Sequence, residues 1–146
     1  METLAYDKND LGQVAQNLLT YVSEKSNQEG ATTLTLAGNL GAGKTTITQQ
    51  LATVLGVSEV ITSPTFVVMK RYQTNHPVFL ELIHIDAYRI EQEEEMVVLG
   101  FVEWLKKPQT LICIEWPEKI SGLIPPSALR VALEVVDENT RKISYG

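Results

Sequence analysis

Residues 38–45 read Gly-Asn-Leu-Gly-Ala-Gly-Lys-Thr, a complete G-x-x-x-x-G-K-[ST] motif, and no other segment constrains the fold as much. Such a loop works only between a strand and a helix, because the helix N-terminus supplies the positive end of a dipole. At average residue frequencies, a chance match in a chain this long arises roughly once in 200 sequences. Both flanks are in place. Thr32 to Ala37 alternates Thr and Leu and reads as a strand, while Ile47, Leu51, Val54 and Leu55 line one helical face that Gly56 stops. Gly41 and Gly43 let the backbone curl so that its N–H groups point at phosphate oxygens. Lys44 can then reach β- and γ-phosphates, and the Thr45 hydroxyl is placed to ligate magnesium. Gly41, Ala42, Gly43, Lys44, Thr45 and Thr46 are therefore the expected phosphate-binding residues.

The rest of the chain supports an α/β domain with a parallel core and antiparallel edges. Leu11, Val14, Ala15, Leu18, Leu19 and Val22 mark an amphipathic first helix, with Asp10 and Gln13 spaced as its capping box. Thr65–Tyr72 and Val78–Ile85 predict an antiparallel hairpin with Pro77 near the start of its second strand. The acidic run Glu91–Glu95 opens a short helix, its charge complementing the dipole. Leu111-Ile112-Cys113-Ile114 has the unbroken apolar character of a central buried strand. Leu129–Val136 alternates, turns near Asp137-Glu138-Asn139 and returns through Ile143 and Tyr145. No repeat or long linker interrupts the 146 residues, so one domain spanning 1–146 is expected.

A phosphate loop needs an acid to hold the metal's water shell, and two acids end apolar strands. Glu115 follows Leu111–Ile114, and Asp86 follows Leu82-Ile83-His84-Ile85. The cleaner flank favours Glu115 for the metal and leaves Asp86 to orient or deprotonate the attacking water, although either acid can serve either role. No Asn-Lys-x-Asp and no Asp-x-x-Gly is present, so the guanine-reading and switch elements of GTPases are missing and ATP is the expected nucleotide.

Charge and composition narrow the partners. With a formal net charge of −6, the chain lacks the basic stripe of a nucleic-acid binder, so any contact with nucleic acid is expected to run through proteins. No apolar run is long enough for a membrane helix, and the start of the chain lacks a secretory pattern. The single cysteine, Cys113, sits in an apolar run and reads as a core residue in a reducing compartment, which suggests a cytoplasmic protein.

Four motifs in order make the chain resemble the TsaE family (also called YjeE or YdiB). They are Gly38 to Thr46, Ser63-Pro64-Thr65-Phe66, His84-Ile85-Asp86-Ala87-Tyr88-Arg89 and Glu115-Trp116-Pro117-Glu118. The resemblance implies a P-loop ATPase that acts with TsaB and TsaD in threonylcarbamoyladenosine modification of tRNA, resetting that pair between turnovers. It also implies Thr45 and Glu115 as magnesium ligands, Asp86 for hydrolysis, Trp116 and Glu118 near the nucleotide, and Ser63–Phe66 as a loop in which Thr65 senses the γ-phosphate. The N-terminal segment before Leu11 gives no firm alignment, which leaves the adenine contacts open.

Two other functions compete with a partner-dependent ATPase. One is a small-molecule kinase, which would carry an arginine-bearing lid where this chain has a β-rich tail with Arg130 and Arg141. The other is a nucleotide-dependent binding module with negligible hydrolysis. Among lesser candidates, His84 alternates with apolar neighbours as a packed histidine does, and Arg89 has the setting of a surface ion pair. Lys70-Arg71 reads as a solvated hairpin that could also meet tRNA or an acidic partner.

Overall fold

The segments 32–37 and 110–115 become adjacent central strands of one seven-stranded sheet in the computed structural model, which describes residues 2–146. In chain order the strands are β1 (Glu2–Tyr6), β2 (Thr32–Ala37), β3 (Met69–Gln73), β4 (Glu81–Asp86), β5 (Thr110–Glu115), β6 (Leu129–Val135) and β7 (Arg141–Tyr145). The helices are α1 (Leu11–Glu24), α2 (Lys44–Leu55), α3 (Glu94–Val98) and α4 (Phe101–Trp104). The sheet order is β1-β7-β6-β2-β5-β4-β3. Strands β6, β2, β5 and β4 run parallel, whereas β3, β7 and β1 add antiparallel edges.

Period-two alternation divides the apolar residues between two faces. Leu34, Leu36, Leu111 and Cys113 pack toward α1 and α2, with Leu18, Val22, Ile47 and Leu51 above them. Ile112, Ile114, Ile83 and Ile85 face the other way and meet Met96, Phe101 and Ile120. Burial on both faces explains why β5 reads as an unbroken apolar run. Cys113 is fully buried, and that burial pushes its thiol far above its usual range, as a core role requires. No helix among the described residues is long and apolar enough to cross a membrane.

Three local expectations need correction. The hairpin forms, but its strands begin at Met69 and Glu81 instead of Thr65 and Val78. The amide of Val68 is turned back to the Pro64 carbonyl, and Val68 itself sits at φ 70°, so the chain is still in a loop there. On the other arm, His76 Nδ1 accepts the N–H groups of Val78 and Phe79 at 3.1 and 3.2 Å, which ties them to the loop instead of the ladder. Pro77 therefore lies in the connection and not at the strand's start. The capping box also sits earlier than expected. Asp7 accepts from the Asn9 amide and Asp10 from the Asp7 amide, heading a 3-10 turn that feeds α1, while Gln13 bonds Asn17.

Phe101 is fully buried in the layer remote from the phosphate loop. Phe101→Ala is expected to cost about 3–5 kcal/mol in urea denaturation; a loss below about 1 kcal/mol would contradict this packing.

Candidate nucleotide site

Parallel strands point their C-terminal ends to one edge, and the order β6-β2-β5 makes β2 the point where the chain switches sides. After β2 the chain builds the β5-β4-β3 half, and after β5 it crosses to β6 on the opposite side. The phosphate loop therefore emerges into the crevice of that edge. Asp86 and Glu115 end β4 and β5 as register partners beside it. The end of β1, the β6–β7 turn and the start of β7 reach the same edge.

Within the loop, Gly38 has φ 159°, and a Cβ there would stand 2.6 Å from the Leu133 carbonyl oxygen, so the close approach of loop to β6 requires glycine. Gly43 caps α2 at φ 100°. The Ala42 amide closes a turn onto Asn39, and the Ala42 side chain is buried, while Thr46 is exposed on the first turn of α2. Lys44 is buried and curls back over the loop. Its Nζ donates to the carbonyls of Gly38 and Asn39 at 2.5 and 3.0 Å and lies 4.0 Å from the centre of the Trp116 ring. Burial pushes the Lys44 amine below its usual range, with the carboxylates of Glu115, Glu118 and Asp86 pulling the other way.

The two acids have different neighbours. Thr45 Oγ1 lies 2.8 and 3.0 Å from the two Glu115 oxygens and donates to that carboxylate. Glu115 Oε2 is also 2.5 Å from Nε2 of the buried His84. Asp86 instead holds the segment 63–68. It accepts from Thr65 Oγ1 at 2.9 Å, and Ser63 bonds Thr65 at 2.7 Å. The Tyr88 amide donates to its other oxygen at 3.0 Å, and its own amide reaches the Val68 carbonyl. Trp116 adopts the left-handed conformation at φ 58°, which turns the chain directly after Glu115. Its ring folds over Lys44 and against Tyr88, 5.1 Å between centroids. Glu118 follows, exposed, on a 3-10 turn whose Pro117 and Ile120 are buried.

Several residues enter in ways the sequence did not reveal. A cavity of about 430 Å³ adjoins the loop, walled by Tyr6, Lys8, Gly43, Thr46, Asn139 and Arg141 among others. Arg141 Nε donates to the Gly41 carbonyl at 3.2 Å. Burial raises the Tyr6 hydroxyl's pKa, opposed by the Arg141 charge. Among the described residues Arg89 makes no ion pair, and it stacks on the exposed Phe66 ring, 4.5 Å from its centre. Lys70 bonds Thr62, and Arg71 pairs with Glu81 while lying over Trp104.

The family model of the threonylcarbamoyl adenosine biosynthesis protein TsaE matches residues 5–143. The chain belongs to the TsaE family. The tRNA threonylcarbamoyladenosine biosynthesis protein TsaE of Bacillus subtilis is 37% identical over 112 residues, 77% of this chain and 67% of that protein. Its namesake in Rickettsia prowazekii is 42% identical over 110 residues, 75% of this chain and 73% of that one. The Treponema pallidum TsaE is 34% identical over 117 residues, 80% and 82% of the two chains. A crystal structure of YdiB from Bacillus subtilis superposes with a TM-score of 0.70 at 24% identity, covering 99% of this chain and 84% of that one, which shows a shared P-loop NTPase-like fold.

Asp86 is the hub of segment 63–68, so its removal should free that loop without opening the sheet. Asp86→Ala is expected to speed amide hydrogen exchange at Thr65 through Val68 and to lower stability by about 1–3 kcal/mol. Unchanged exchange in that segment would contradict the role of Asp86 as its anchor.

Proposed function

We propose that this TsaE-family chain is a magnesium-dependent ATPase, acting as one domain in the cytoplasm with TsaB and TsaD in N6-threonylcarbamoyladenosine formation on tRNA. Its turnover resets that pair between cycles on tRNAs that read codons beginning with A, and the tRNA is met through the complex. The observation that carries this reading is the contact between Thr45 and Glu115 at the mouth of the phosphate loop. The relatives' names, which assign them to tRNA threonylcarbamoyladenosine biosynthesis, support the pathway.

The donor set suits magnesium. Thr45 and Glu115 offer hard oxygen ligands, and magnesium commonly takes one or two protein oxygens, completing its shell with phosphates and water. When bound, it would neutralise charge on the β- and γ-phosphate oxygens. The chain's own groups do the rest. The amides that open α2 receive phosphate oxygens, with Gly41, Ala42, Gly43 and Thr46 shaping the cradle. Lys44 exchanges the carbonyls of Gly38 and Asn39 for phosphate, regaining the charge compensation that its burial withholds. Asp86 would orient water and accept its proton, while Thr65, bonded to it, would sense the γ-phosphate. Trp116 and Glu118 border the phosphates, and the cavity beside Tyr6 and Arg141, of a size usual for ligand pockets, takes the base and ribose.

Segment 63–68 carries an exposed Phe66 and rests on side-chain bonds to Asp86, so a partner that repositions it would complete the site. The purified chain should therefore release phosphate from ATP slowly, and TsaB with TsaD should accelerate it. Lys44→Ala should abolish release in both settings, a loss of at least about 100-fold. ATP binding without any stimulation by the pair would remove the proposed pathway role, and rapid turnover by the chain alone would remove the partner-completed switch.

A further inference from the structure

Glu115 is held from two sides, and one of its holders has no place in the scheme above. His84 lies on β4 one strand away, fully buried, with Nε2 2.5 Å from Glu115 Oε2. Its register partner on β5 is Cys113, and the surrounding layer is Leu82, Leu111 and Leu36. A polar ring in such surroundings costs free energy unless it is bonded. Among the described residues, Nδ1 of His84 has no partner, so the ring makes a single hydrogen bond, and that bond goes to Glu115. An apolar side chain of similar volume would leave no orphaned ring nitrogen, but it would cost the buried Glu115 Oε2 its His84 donor. The carboxylate accepts, so Nε2 carries a proton and donates.

We propose that His84 is a positioning residue for the metal. By holding Oε2, it fixes the carboxylate plane against the Thr45 hydroxyl, which lies 2.8 Å from Oε1 and 3.0 Å from Oε2, and Thr45 and Glu115 are the ligands assigned to magnesium above. The proposal rests on that assignment. It follows the general behaviour of metal sites, in which partners that orient a ligand change metal affinity about 10–100-fold.

The test uses the full chain and manganese as the probe. Mn2+ affinity is read by electron paramagnetic resonance with ADP present, and fluorescent-ADP affinity is read separately in EDTA. His84→Leu removes the donor, His84→Met does so with a more adaptable side chain, and His84→Gln keeps an N–H donor near the Nε2 position. Both apolar variants are expected to weaken Mn2+ binding about 10–100-fold with metal-free ADP affinity unchanged, and His84→Gln to recover most of the loss. Apolar variants that bind Mn2+ as tightly as the parent, while Glu115→Gln does not, would overturn the role of His84 alone. So would a Gln variant as impaired as the Leu one, or a matching loss of metal-free ADP binding, since either marks a purely structural role. If the parent chain itself gains no Mn2+ affinity with ADP, the metal assignment falls and this proposal falls with it.

Discussion

The bond from Thr45 to Glu115 joins the helix that follows the phosphate loop to the strand beside the one that precedes it. A hydrogen bond to a charged group contributes about 1.5–3 kcal/mol, more than an ordinary one. Its larger effect is geometric. With Thr45 fixed to β5, the first turn of α2 is set against the sheet edge, and so is the loop that leads into it. The parallel register β2–β5–β4 then leaves little freedom elsewhere, because Asp86 is the register partner of Glu115. Glu115 and Asp86 are therefore spaced by the sheet, whose main-chain ladder is far stiffer than any loop.

Around this fixed edge the backbone is strained at two places, Val68 at φ 70° and Trp116 at φ 58°. A β-branched residue in the left-handed region is a genuine outlier, and each such position costs on the order of 1–3 kcal/mol. Both positions serve the acids. The turn at Trp116 swings its ring over Lys44 immediately after Glu115, and the turn at Val68 directs a carbonyl to the Asp86 amide. The sheet holds these conformations in place through Asp86 and Glu115. Local strain opposed by a rigid frame would suit the loop that the proposed nucleotide cycle rearranges.

The sheet was legible where the pattern was local. The loop motif, the alternation at residues 32–37 and the apolar run before Glu115 gave the core strands, and the two acids at strand ends were visible as a pair. Segment 65–68 was not legible, because its β-rich composition matches a strand while side-chain bonds to Asp86 and a reversed amide at Val68 keep it a loop. The Asp10–Gln13 spacing misled for a similar reason, since Asp7 competes for the same cap. β1 and the Arg141 contact with Gly41 depend on pairing between the two ends of the chain, which no local window contains. His84 was read as packed, and it is, but its bond to Glu115 crosses between strands and leaves no mark in spacing.

We propose that Thr45 and Glu115 act as one unit toward magnesium-nucleotide. A double-mutant cycle measures this directly, with Thr45→Ala, Glu115→Gln and the pair assayed for ATP-analogue affinity by calorimetry in magnesium and in EDTA. Each single change should remove most of the gain in affinity due to magnesium, and the double change should add little, a coupling of about 0.5–3 kcal/mol that vanishes in EDTA. Losses that simply add, or that persist unchanged without magnesium, would show that the two residues do not act together on the metal.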